Sequence, residues 1–318
     1  MKKIAHQVFI IVCSISLVSW GFYGHRTINH AAVFTLPTEM FGFYKKHIDY
    51  IREMAVNADK RRYAVADEAA KHFLDADFYE KSAPLDTLPH HWDSAVAKYG
   101  LDTVMAHGIV PWQVIKMKYW LTDAFKKRDF KNVLRLSADL GHYVADLHVP
   151  LHSTHNYDGQ LSGQEGIHGL WESRLPELFG QNYDLFVGKA RYINQLDSEV
   201  WVRFEQSFAA KDSVLLLEKL ATQYVKESNK YTFETRGRQT VKTYSEKFSS
   251  HYHEKLNDMV EKRMQASIEF VGSIWFTAWV DAGQPDLNED ANFEPYIPDE
   301  NLDSIYLNSK IIGRPETE

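Results

Sequence analysis

The sequence predicts an all-α protein built as a single multi-helix domain. Apolar residues recur at three- and four-residue steps along most of the chain, and no strong strand pattern or internal repeat stands out. One stretch, Val241 to Ala282, keeps the helical spacing to its end at Gly283 and Pro285.

The 318 residues are 44% hydrophobic and 14% aromatic, enough for a sizeable core in one large domain or two small ones. In chain order, Lys2-Lys3, an apolar run from Val8 to Val18 and then Ser19 describe a secretory signal peptide over residues 1–19. The apolar run is short for a membrane span, which needs about 20 residues. Thr38 to Met54 puts Met40, Phe41, Tyr44, Ile48 and Ile51 on one face after Pro37. Amphipathic stretches follow at Trp112 to Phe125 and at Val133 to Val149, the latter ended by Pro150. Gly-rich, polar Asn156 to Gly166 is a loop, and further helices are expected over Asp197 to Ala210 and Ser213 to Glu227. In Val241 to Ala282, Leu256, Met259, Val260, Met264, Ile268, Val271, Trp275 and Trp279 form the stripe of a helix closing the bundle. The domain therefore spans residues 20–283, and residues 284–318, acidic and rich in Pro and Asn, form a polar surface tail.

A net charge of −7 argues against gripping duplex nucleic acid through its phosphates, which needs a basic face. Bound metal can reverse that local logic. The one cysteine, Cys13, lies in the leader, so in the mature chain no disulfide and no thiolate is available. Any metal site must use His, Asp and Glu.

The stretch Gly141 to His152 supplies them. His142 and Asp146, four apart, share a helix face, Pro150 ends the helix, and His152 projects from the turn. After the loop, His168 and Glu172 repeat the spacing. Imidazole and carboxylate so placed suit zinc where no thiolate exists. Upstream stand Asp59-Lys60-Arg61-Arg62, His72-Phe73-Leu74-Asp75 and Trp20-Gly21-Phe22-Tyr23-Gly24-His25, each weak alone. His148 and His155 read as site-adjacent or solvated, and His90-His91-Trp92 as a loop packed through its Trp.

Taken together these motifs resemble the superfamily of bacterial zinc-dependent phospholipases C and of fungal and plant zinc-dependent single-strand nucleases. Trp20 to His25 match the W-G-x-x-G-H opening of the nucleases. His72 to Asp75 match H-F-x-D, His142, Asp146 and Pro150-Leu151-His152 match the central string, and His168, Trp171 and Glu172 match the closing H-x-x-W-[DE]. The resemblance implies three zinc ions. One would take Asp59, His72, His142 and Asp146. The second would take the α-amine and carbonyl of Trp20, with His25 and a bridging Asp146. The third would take His152, His168 and Glu172. Asp67 competes with Asp59, but Asp59 has Arg62 three residues later, as in the nuclease pattern, where the arginine contacts phosphate.

The resemblance thus implies an exported phosphoric ester hydrolase, secreted or periplasmic after cleavage before Trp20. Asp59 and Arg62 would serve the chemistry, and Phe73 and Asp75 would stack and hydrogen-bond a base. Acidic ligands only partly cancel the charge of three divalent ions, which lets an acidic protein bind phosphate. Single-stranded nucleic acid or nucleotides are the expected substrates of a monomer with no evident protein partner. The W-G-x-x-G-H opening favours a nuclease or 3′-nucleotidase. Glu172 in place of Asp and the short His152–His168 loop point instead to a phospholipase C acting on phospholipid head groups. A non-catalytic zinc-binding surface protein is the alternative from another class.

Overall fold

A computed structural model of the chain describes residues 22–236, 239–287, 293, 295, 310–312 and 314. The predicted leader and Trp20 lie outside the described residues. The described chain is mostly helical, with one two-stranded antiparallel sheet. No helix among the described residues is long and apolar enough to cross a membrane.

The organising element is the helix Phe130–His148. Its N-terminus is capped by Asp129, whose carboxylate accepts the Asn132 N–H at 3.2 Å. From Leu136 to His148 every residue is buried, because other helices cover it on all sides. Val110–Lys126, Met259–Asp281 and Tyr23–Ala32 pack against it directly. Val149 turns extended before Pro150, which cannot continue the helix.

Gly141 sets how closely two of these helices approach. A Cβ there would lie 1.9 Å from Asn29 Oδ1. Asn29, on the Tyr23–Ala32 helix, donates Nδ2 to the carbonyls of Ala138 at 3.0 Å and Ile51 at 3.3 Å. His25, one turn before Asn29, is brought beside His142 by the same approach, with ring centroids 4.2 Å apart.

Several sequence-derived boundaries change. The stretch Thr38 to Met54 is interrupted at His47, giving helices Thr38–Lys46 and Ile48–Glu53. The expected helices around Asp197 and Ser213 are one, Leu196–Tyr224, since no Gly or Pro lies between them. The long stretch from Val241 is not one helix. It begins as the second strand of a hairpin, Tyr231–Arg236 paired with Gln239–Tyr244 in the register Tyr231↔Tyr244. It resumes as helix Glu246–Leu256 and breaks where Asn257 and Asp258 turn left-handed at φ 46° and 62°. It then continues as Met259–Asp281. Asn and Asp are the side chains that best tolerate that conformation. The hairpin corrects the expectation of helix throughout. Its β-branched Thr232, Thr235, Thr240, Val241 and Thr243 are the strand signal, blurred because outward-facing Phe233 is exposed.

Parts of the polar tail pack on the helices. Leu287 is buried, Phe293 stacks on His47 at 5.1 Å between centroids, and Arg314 is 9% exposed at the far end of the sequence.

Candidate metal centre

Six separate segments deliver His, Asp and Glu to one buried place. The helix Tyr23–Ala32 carries His25, and the short helix Asn57–Arg61 carries Asp59. His72 follows a single 3₁₀ turn, and Phe130–His148 contributes His142 and Asp146 from one face. His152 lies in the turn after Pro150. His168 and Glu172 come from Ile167–Gly169 and the wide π-type turn Leu170–Arg174. The Asn156 to Gly166 loop aims this last pair. Asp158 Oδ1 accepts the backbone N–H groups of Gly166 at 3.0 Å and His168 at 3.3 Å, anchoring the first turn.

The donor atoms form overlapping sets. His72 Nδ1 and His142 Nε2 lie 2.9 and 3.2 Å from Asp146 Oδ2, and each is 3.5 Å from Asp59 Oδ1. His152 Nε2 and His168 Nε2 lie 3.2 and 2.9 Å from Glu172 Oε2. The other carboxylate oxygens face His25 Nε2, Asp146 Oδ1 at 3.5 Å and Glu172 Oε1 at 3.0 Å. Asp146 therefore spans two sets, as expected of a bridging ligand. Glu172 also spans two, reaching His25 as well as His152 and His168, which the sequence reading did not foresee.

This donor set fits metal. Around a tetrahedral zinc with bonds of about 2.0–2.1 Å, ligand atoms stand roughly 3.3–3.4 Å apart, and the four atoms from Asp59, His72, His142 and Asp146 approach that spacing. Two of them, His142 Nε2 and His72 Nδ1, are imidazole nitrogens 3.0 Å apart. Such a pair can share one proton or hold a metal cation between them. His142 is oriented for this by its other nitrogen, since Nδ1–H donates to the Ala55 carbonyl at 2.8 Å. His168 is held likewise by the Tyr157 carbonyl at 3.2 Å.

The electrostatics agree. Burial alone would raise the three carboxyls. His142 beside Asp59 and Asp146, and His152 beside Glu172, hold all three below the usual carboxylate range. Burial alone would lower His142, but Asp146 and Asp59 raise it well above an ordinary histidine. His72, for which burial dominates, is lowered. The acids thus stay ionised in a buried site and their charge needs a cation, either a proton on histidine or a metal ion.

Behind the cluster runs a supporting network absent from the sequence reading. Glu68 accepts from Arg61 Nε and Nη2 at 3.2 and 3.1 Å, from Lys71 Nζ at 2.6 Å and from the Tyr143 hydroxyl. It also lies 4.0 Å from His72 Nε2. Arg61 reaches Asp139 at 3.0 Å.

The residues predicted to contact substrate lie beside the cluster. Arg62 is buried, with Nη1 3.8 Å from Asp59 Oδ1. Phe73 and Asp75 are buried as well, and His155 and His107 stand 3.4 and 3.6 Å from Asp75 Oδ2. Asp77 braces this wall by accepting Thr154 Oγ1 at 2.6 Å and the His155 N–H at 3.0 Å. Tyr157 completes it and Arg314 lies against it, and neither stood out in the sequence. Tyr157 had a signal in its place in the polar loop after His152, whereas Arg314 had none. His148 is a structural histidine, donating Nδ1–H to the Val144 carbonyl at 2.7 Å and kept neutral by burial and by Arg263.

By fold and site, then, this is a mostly helical protein with a buried His/Asp/Glu cluster able to hold metal ions. Compared with models of protein families and with curated proteins, the chain matches none.

Proposed function

We propose that the chain is an exported zinc-dependent phosphoric ester hydrolase of the phospholipase C and single-strand nuclease type, acting on single-stranded nucleic acid or 3′-nucleotides. One observation carries the reading. The side chains that the motifs single out for metal, His25, Asp59, His72, His142, Asp146, His152, His168 and Glu172, converge in overlapping donor sets although they come from distant parts of the sequence. Three zinc ions, the second also held by Trp20, match the ligand sets implied by the resemblance.

Zinc there supplies positive charge for phosphoryl oxygens and water acidified to near neutral pH. The chain's own residues do the rest. Arg62 donates to a non-bridging phosphate oxygen, a charge-assisted bond strengthened by burial. Asp59 holds Arg62 in place while facing His72 and His142. The Phe73 ring offers a face for stacking, and Asp75 below it accepts from an exocyclic amine, a sequence-tolerant mode suited to single strands. The slot between the Phe73 and Tyr157 rings takes a planar group such as a nucleobase, and the W-G-x-x-G-H opening is what favours nuclease over phospholipase C.

The test is release of acid-soluble nucleotides from single-stranded DNA by protein beginning at Trp20 and loaded with zinc, beside a chelated control. Chelator-sensitive release is expected. Zinc-replete protein that leaves DNA intact but hydrolyses phosphatidylcholine would replace the nuclease reading with the phospholipase one.

A further inference from the structure

The far end of the chain sits in the substrate slot. The Arg314 guanidinium lies over the Phe73 ring at 4.1 Å and the Tyr157 ring at 3.6 Å, sandwiched between the two. Its Nη1 donates to Asp75 Oδ1 at 2.6 Å and its Nη2 to the Thr154 carbonyl at 3.1 Å. The Arg314 carbonyl in turn accepts from Arg62 Nη2 at 2.8 Å, and the Ile312 N–H donates to the Arg62 carbonyl at 2.9 Å. The side chain is only 9% exposed, so these contacts are not those of a surface arginine.

The ring stacking, the bond to Asp75 and the bond from Arg62 are of the kind the proposed nucleotide would make. The guanidinium is planar, carries N–H donors at its edge and stacks on aromatic faces, so it stands in for a nucleobase with an exocyclic amine. The carbonyl oxygen on Arg62 stands in for a phosphate oxygen. We propose that Ile312 and Arg314 are a built-in occupant of the substrate cleft, an autoinhibitory contact that competes with a nucleotide for Phe73, Asp75, Tyr157 and Arg62. The inference rests on the proposed function for the identity of the competitor, but not for the docking itself.

The docked end reduces apparent affinity by the fraction of molecules whose cleft is open. A segment docked about nine-tenths of the time weakens nucleotide binding about tenfold. Such competition is relieved by high local substrate, by cleavage of the C-terminal residues, or by loss of the arginine. Arg314 takes no part in the metal cluster, so its removal leaves the chemistry in place.

Two readouts on the zinc-loaded full chain test this, with adenosine 5′-monophosphate as the probe. Hydrogen exchange of the segment containing Ile312 is expected to be slow in the wild type and fast in Arg314→Ala, and saturating AMP is expected to speed it in the wild type. Calorimetry is expected to give AMP binding about tenfold tighter in Arg314→Ala, and also in Ile312→Pro, which removes the donor to the Arg62 carbonyl without touching the slot. Equal exchange in wild type and Arg314→Ala would overturn the docking. Faster exchange with unchanged AMP affinity would overturn the competition. If neither protein hydrolyses any phosphate ester while the exchange difference persists, the proposed function fails and the docking stands.

Discussion

One helix feeds two buried charged clusters, and they are built on opposite principles. From Phe130–His148, Asp139 and Tyr143 face Arg61, Glu68 and Lys71, while His142 and Asp146, shifted by three residues, face His25, Asp59 and His72. Both use the four-residue step that places side chains on one helix face. The first cluster balances itself, because permanent cations meet each carboxylate. In the second, Arg62 at 3.8 Å from Asp59 is a permanent cation, but Asp146 and Glu172 face histidines, so their charge is met by protons on histidine or by bound metal. A buried network closed by permanent cations is structural, whereas one whose carboxylates lean on histidines can exchange protons for a metal ion.

Breaking the second cluster should have the largest effect. Asp146→Ala removes the oxygens that span two donor sets, and is expected to lower zinc content and abolish hydrolysis. Zinc by mass spectrometry and nucleotide release check it, and full activity in this variant would contradict the site.

Breaking the first should act on stability and its pH dependence. Burial would raise Glu68, but Arg61, His72 and Lys71 hold it down to about 2, from 4.5 in an open chain. Because the folded value is the lower one, this stabilisation is complete above the unfolded value of 4.5. It is lost as pH falls through that range towards 2. Glu68→Gln is expected to destabilise by about 1–3 kcal/mol at neutral pH, with a flatter acid limb, as read by denaturant unfolding between pH 7 and 3. Since Glu68 also backs His72, zinc affinity should fall about 10–100-fold.

Gly141 lies on the same helix, against Asn29. Gly141→Ala would push against Asn29 and so move the helix that bears His25. A loss of roughly 1–3 kcal/mol follows, and zinc bound through His25 should weaken more than the Arg61–Glu68 network does, a difference resolved by zinc titration beside thermal melts. The smallest effect is expected from His155→Ala. That side chain is 63% exposed, so stability should stay within about 0.5 kcal/mol.

The second cluster was legible in the sequence and the first was not. His142–Asp146 and His168–Glu172 announce themselves by spacing, by Pro150 ending the helix and by resemblance to known motifs. Glu68, Arg61 and Tyr143 form ordinary ion pairs between distant segments, and no local pattern marks such residues. The helical character was legible from periodicity. The hairpin at Tyr231–Tyr244 and the break at Asn257-Asp258 were not, because a half-exposed strand alternates weakly and a left-handed pair barely disturbs an apolar stripe. The contact of Arg314 with Asp75 joins residues 239 apart, beyond the reach of any spacing argument.

The central claim is that the second cluster is a zinc site. Equilibrium zinc titration of the chelated chain, with metal content confirmed after dialysis, tests it most directly. The account predicts more than one zinc ion retained per chain, a higher melting temperature on loading, and loss of zinc in Asp146→Ala but not in His155→Ala. A chain that stays folded, retains no zinc and melts at the same temperature with and without it would contradict the account.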